Sequence, residues 1–145
     1  MGRQWWGVKE GTGIMSFAPL LQASAAIQIH AFAAMAAFAL GAVQLAAPKG
    51  TLPHRTIGWI WVVLMAVVGV TAFFIHDLRV WGIWSPIHLL AIFTLIMLPV
   101  AVLHARRHNV TGHRRAMIGI FTGALAIAGI FTFVPGRIMY RVMFG

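Results

Sequence analysis

Histidine carries the chemistry available to this chain of 145 residues, which has seven histidines, no cysteine and two acidic residues, Glu10 and Asp77. Without cysteine there are no disulfides, thiolate metal sites or cysteine-held iron–sulfur clusters. Two carboxylates against eleven Lys and Arg leave almost nothing for paired-carboxylate catalysis or a carboxylate proton relay. The imidazoles also recur. A shift of 58 to 59 residues brings Ile29-His30 onto Ile87-His88 and His54-Arg55 onto His113-Arg114. A lone histidine in an apolar helix most often hydrogen-bonds a carbonyl or side chain on a neighbouring helix. Two facing imidazoles with little else polar nearby suit a low-spin b-type haem, one nitrogen going to each face of the iron. His30 with His88 and His54 with His113 are therefore candidate axial pairs, for one haem or two. Arg55, Arg114, Arg115 and Lys49 are at hand for propionates of the second. A copper or zinc cluster is the rival chemistry, since His104 and His108 are four apart and His113 follows after a short loop.

The elements that must position these residues follow from composition. With 61% apolar residues, 9% charged and a mean hydropathy of +0.89, the chain departs from a soluble domain, in which roughly 25% of residues are charged. At about 20 apolar residues per crossing it has room for four membrane helices with short loops. The expected spans are about 20–47, 53–76, 86–104 and 113–134, within a membrane domain over 16–136. A polar lead, 1–15, and a basic, aromatic tail, 137–145, flank it. Pro48-Lys49-Gly50 stops the first span and Pro135-Gly136 the last, while Pro53 and Ser85 suit the starts of the second and third. The lead lacks the hydroxyl residue of a myristoylation signal. Ala23-Ser24-Ala25 looks like a cleavage site, but the apolar run before it is short, broken by Pro19 and continuous with a full helix. Short connections give an all-α, up-down-up-down four-helix transmembrane bundle of two tandem helical hairpins. Two such hairpins share an orientation, so a pseudo-twofold axis along the membrane normal is expected.

His30 and His88 each stand 16 residues before the expected end of a helix, roughly 24 Å at 1.5 Å per residue. They share one half of the bilayer, side A, with both termini and the loop containing His76 and Asp77. His54, His104, His108 and His113 gather at the opposite face, side B. The side A pair, inside the apolar layer, should have few partners other than a haem, whereas water and headgroups can satisfy the side B pair. A single haem is therefore expected on side A.

Other features have plainer readings. Ala23, Ala26, Ala34, Ala37 and Gly41 form a small-residue stripe that admits a flat macrocycle or another helix. Gly119 and Gly123 form a GxxxG, for packing within the bundle or at a homodimer seam. Trp59, Trp61, Trp81 and Trp84 fall near span ends, as aromatic belts do, and Gln28 and Gln44 are expected to hydrogen-bond across helices. The formal charge of +9 is read as positive-inside topology and contact with anionic membrane lipids, not nucleic-acid binding, because aromatic-interleaved basic stretches are missing. Cations in the interhelical loops and their flanks number six on side B and one on side A, so side B is expected to be cytoplasmic.

Pro53-His54-Arg55-Thr56-Ile57-Gly58-Trp59 and Gly112-His113-Arg114-Arg115-Ala116-Met117, with His30 and His88 before them, resemble an uncharacterised family of predicted bacterial membrane proteins with a domain of unknown function. That resemblance runs from about Ala25 to Val134 and implies four helices and a multi-pass place in the bacterial inner membrane. More distantly, the chain is similar to transmembrane b-type cytochromes of the ascorbate- and ferric-reducing kind. Those hold two haems near opposite faces, and the similarity implies His30 with His88 and His54 with His113 as axial pairs. The chain departs from them in having four spans rather than a larger bundle, and in Met117 where the first repeat has Gly58. The expected function is haem-dependent electron transfer. The alternative is an accessory or assembly subunit of a respiratory or photosynthetic complex.

Overall fold

Four helices of 22, 21, 21 and 22 residues are long and apolar enough to cross a membrane. A computed structural model describes residues 15–75 and 85–144, and all regular structure among them is helical. In chain order these are α1 (Ala18–Leu21), α2 (Ala25–Ala46), α3 (Leu52–Ala72), α4 (Pro86–Arg106) and α5 (Val110–Ile120). α5 continues through a π-helical stretch, Phe121–Ile127, into α6 (Ala128–Phe131), and α7 (Ile138–Phe144) follows. His76, Asp77, Arg79, Trp81 and Trp84, like Trp5 and Trp6, lie outside the described residues.

Local chemistry sets the boundaries, in places differently from the sequence pattern. The expected first span breaks at Gln22–Ser24. Ser24 accepts from the Ile27 N–H (3.5 Å) and begins α2 at Ala25, so the small-residue triplet read as cleavage-like contains an N-cap. Thr51 accepts from the His54 N–H (3.3 Å), with Pro53 in the first turn of α3. Asn109 accepts from the Gly112 N–H (2.9 Å), so α5 begins three residues before His113. α3 stops at Ala72, four residues short of the expected end, whereas α4 runs on to Arg106. The tail expected after Pro135-Gly136 is helical over α7. Lys49 ends α2, its ammonium donating to the carbonyls of Gln44 (2.8 Å), Leu45 (2.8 Å) and Ala47 (2.6 Å). A cation there satisfies orphan carbonyls and complements the negative end of the helix. Lys49 is thus occupied as a cap, which removes it from the cations open to a propionate.

α2 packs on α3, α3 on α4 and α4 on α5, and the π-helical stretch closes the ring against α2. Ala37, Trp61, Met65, Leu98, Ala101, Ala116, Ile120 and Leu125 fill the centre. Trp61 is 2% exposed and donates Nε1–H to the Ala37 carbonyl at 2.9 Å, so it is a core residue and not part of an interfacial belt. Gly41 lies against Trp61 and Phe121 and Ala37 is fully buried, so these two small residues of α2 serve helix packing. Gly119 and Gly123 have no neighbour within 4 Å of where a Cβ would stand, so their GxxxG is not packed within the bundle. Ile29, Phe32, Val63, Leu89 and Ile96 point outward and are exposed, as lipid-facing side chains of membrane helices are.

Near the two ends of the chain, the Ser16 N–H donates to the Val142 carbonyl (3.0 Å) and α1 packs on α7. Four crossings put this end on the face opposite Asn109. Reporter fusions at Gly145 and beside Asn109 are therefore expected in opposite compartments, and one shared compartment would refute the span count.

Candidate functional site

At side B all four spans contribute polar groups, paired within each hairpin. His54, in the first turn of α3, donates Nδ1–H to Oε1 of Gln44 at 2.6 Å, and the Gln44 amide returns a bond from Nε2 to the His54 carbonyl at 2.8 Å. This two-point clamp settles the orientation of the amide and makes Nδ1 the protonated nitrogen of His54. Gly58, one turn further along α3, would place a Cβ 3.5 Å from Gln44 Nε2, an ordinary contact. His113, in the first turns of α5, donates Nδ1–H to the carbonyl of Ala101 in α4 at 2.9 Å. His113 and Lys49 are both near enough for their charges to act on His54. Both imidazoles are half-buried, while Arg55 and Arg114 beside them are exposed.

Each of these histidines begins the second helix of a hairpin and hydrogen-bonds the last third of the first helix, so the repeat extends from sequence to side-chain geometry. In each, an acceptor fixes the hydrogen on Nδ1 and leaves the lone pair on Nε2, the arrangement that ligating histidines adopt. Gln44 was legible as an interhelical hydrogen-bonder, but not as the partner of His54. Spacing alone carries no information on which imidazole a side chain ten residues away will meet.

Side A is arranged differently. His30 Nδ1–H is shared between the Val68 carbonyl and Thr71 Oγ1 of α3, each at 3.1 Å. His88 is 2% exposed and belongs to a capping box. The Ser85 N–H donates to its Nδ1 at 3.1 Å, Ser85 Oγ lies 3.0 Å away, and Phe73 packs on the ring at a centroid distance of 5.9 Å. A neutral His88 whose Nδ1 accepts carries its hydrogen on Nε2, the opposite tautomer to His30, His54 and His113. Each side A imidazole thus has a protein partner at Nδ1, Val68 and Thr71 for His30 and Ser85 for His88. On side B the protein partners at Nδ1 are Gln44 for His54 and the Ala101 carbonyl for His113.

His104 Nδ1 meets the Asn109 amide (3.1 Å), and His108 is exposed with a positive φ of 55°. Among the described residues no three His, Cys, Asp or Glu gather as a metal site. Gln28 turns back to the carbonyls of Leu21 (2.8 Å) and Ala23 (2.9 Å), bracing the break before α2 rather than crossing to another span. Two clefts open on the surface. One lies between α4 and α5, lined by Phe93, Met97, His104 and Arg115 among others, and the second lies at the side A end. Neither is lined by His30, His54, His88 or His113.

Comparison with curated proteins and with solved structures returns no match. A family model described as "Predicted membrane protein (DUF2306)" matches residues 27–143, which takes in all four spans, both His-Arg dipeptides and α7 up to Met143. The chain belongs to this family of predicted membrane proteins.

Proposed function

We propose that the chain is a membrane electron-transfer protein holding b-type haem between His54 and His113. The observation that carries this reading is the matched pinning of the two Nδ1–H groups by Gln44 and the Ala101 carbonyl. It leaves an Nε2 lone pair on each imidazole, on helices from different hairpins, and so supplies the donor set a low-spin haem takes. The centre of the bundle is filled by Trp61 and Met65, so the group would sit at the helix ends. Haem supplies a one-electron redox centre. The chain holds the ring orientations through Gln44 and Ala101 and offers the exposed Arg55 and Arg114 to propionates. On side A, His30 presents the same tautomer. His88 would have to leave its capping box before its Nε2 could serve as a ligand, which makes His30 with His88 the second pair, not the first. A bacterial inner-membrane address goes with this reading.

The test is the visible spectrum of protein purified in detergent from haem-sufficient cells. A Soret band with sharp reduced α and β bands is expected, and a colourless preparation would overturn the proposal. Gln44→Leu should weaken haem retention about 10- to 100-fold, as loss of the partner that orients a ligating histidine does. Retention equal to that of the unaltered chain would detach Gln44 from the site.

A specific observation favours a second reading. The imidazoles of His30, His54 and His113 each tie together the two helices of one hairpin. As structural hydrogen-bonders they would suit an accessory subunit of a larger membrane complex, or a homodimer, and that reading predicts the colourless preparation.

A further inference from the structure

We propose that the cleft between α1, the start of α2 and α7 binds the phosphate of an anionic phospholipid headgroup. The cleft has a volume of about 900 Å³, and its lining includes Pro19, Gln22, Ile27, Gly136, Arg137 and Arg141. Arg137 and Arg141 lie one helical turn apart, the Arg141 N–H donating to the Arg137 carbonyl at 3.1 Å, so their side chains emerge on one face. Among the described residues there is no carboxylate, and neither guanidinium meets a hydrogen-bond acceptor. Two guanidiniums in one cleft, with no counter-ion among the described residues, repel each other unless an anion joins them. Phosphate oxygens match their planar donor forks, and Gln22, also in the lining, adds a neutral polar partner.

The walls are fixed. Leu20 is fully buried and Val142 is 4% exposed, and the Ser16–Val142 backbone bond ties the two short helices together. Place and lining both favour a lipid over a soluble phosphate. The cleft adjoins Ala25, the first residue of a membrane span, at the level where headgroups lie. Ile27 and Pro19 line it, and Leu21 and Ile29 beside it are exposed. A headgroup seated between the arginines could thus run its acyl chains down α2. This inference is independent of haem, since none of the four paired histidines lines the cleft.

The test uses the full chain in an uncharged detergent, with bound lipid read by native mass spectrometry after addition of dioleoyl phosphatidylglycerol or dioleoyl phosphatidylcholine at equal mole fraction. Phosphatidylglycerol should be retained on the order of tenfold more strongly than phosphatidylcholine. R137Q/R141Q should lose that preference, while R106Q/R107Q at the other end of the bundle keeps it. R137K/R141K, which preserves charge but not the planar fork, should fall between and guards against a folding defect in the glutamine variant. Equal retention of the two lipids, or an undiminished preference in R137Q/R141Q, would overturn the site. Displacement of the lipid by millimolar inorganic phosphate alone would overturn the lipid assignment in favour of a soluble phosphate.

Discussion

His54→Ala and His113→Ala are each expected to abolish the low-spin spectrum, and His88→Ala to leave it in place. Each side B histidine contributes one of two axial nitrogens, so removing either leaves iron with one protein ligand or empties the site, and the two losses should not add. His88 serves a different task. Its Nδ1 accepts from the Ser85 N–H, and its removal costs the start of α4 a cap, typically about 1 kcal/mol. The result should therefore be a lowered unfolding temperature with the spectrum intact. A chain with haem at both pairs would instead lose about half its absorbance in the His54 or His113 variants and the other half in the His30 or His88 variants, extending the reading to side A. Full retention in His54→Ala and His113→Ala, with loss in His30→Ala, would overturn the side B assignment.

Trp61→Ala should be among the most destabilising single substitutions in the chain, at about 3–5 kcal/mol by analogy with buried aromatic deletions. The indole is 2% exposed in the central cluster, with Ala37 and Met65 fully buried beside it, and its Nε1–H is held by the Ala37 carbonyl. Deleting it opens a void between α2 and α3 and removes that interhelical bond. Trp61→Phe separates the effects: it keeps much of the ring volume and should cost less, with the hydrogen bond contributing about 1 kcal/mol. Gly41→Ala tests the same contact from the other helix. An added Cβ would stand 2.6 Å from two ring carbons of Phe121 and 2.8 Å from Trp61 Nε1. Trp61 is pinned and Phe121 is stacked on Phe38 at 5.4 Å, so neither ring can yield cheaply, and a loss of about 1–3 kcal/mol is expected. Thermal unfolding in detergent checks all three. A Trp61→Ala variant as stable as the unaltered chain would show that the indole faces lipid.

The placement of Trp61 also shows where the sequence stopped being informative. Hydropathy separates membrane from water, and Pro, Gly and charged residues punctuate it, so four spans were legible with ends good to a few residues. A helix that is apolar all round carries no stripe to mark its inner face, so an indole near a span end reads as a belt residue when it is in fact core. A cap was missed where a residue had a second plausible role, Ser24 in a cleavage-like triplet. The recurrence of the histidines at matching places in the two hairpins was legible because types and spacing suffice for that. Their tautomers were not, since these depend on whether Gln44 Oε1, the Ala101 carbonyl or the Ser85 N–H lies within about 3 Å.

The π-helical stretch that follows α5 has a geometric consequence. Within hydrocarbon a backbone amide has no water to fall back on, so a helix there is re-aimed only where its backbone partners are kept. A wide turn at Phe121–Ile127 takes up an extra residue. An extra residue turns everything beyond it by roughly 100° about the axis. α6, Ala128–Phe131, therefore offers the bundle different side chains from those that an unbroken α-helix begun at Val110 would offer.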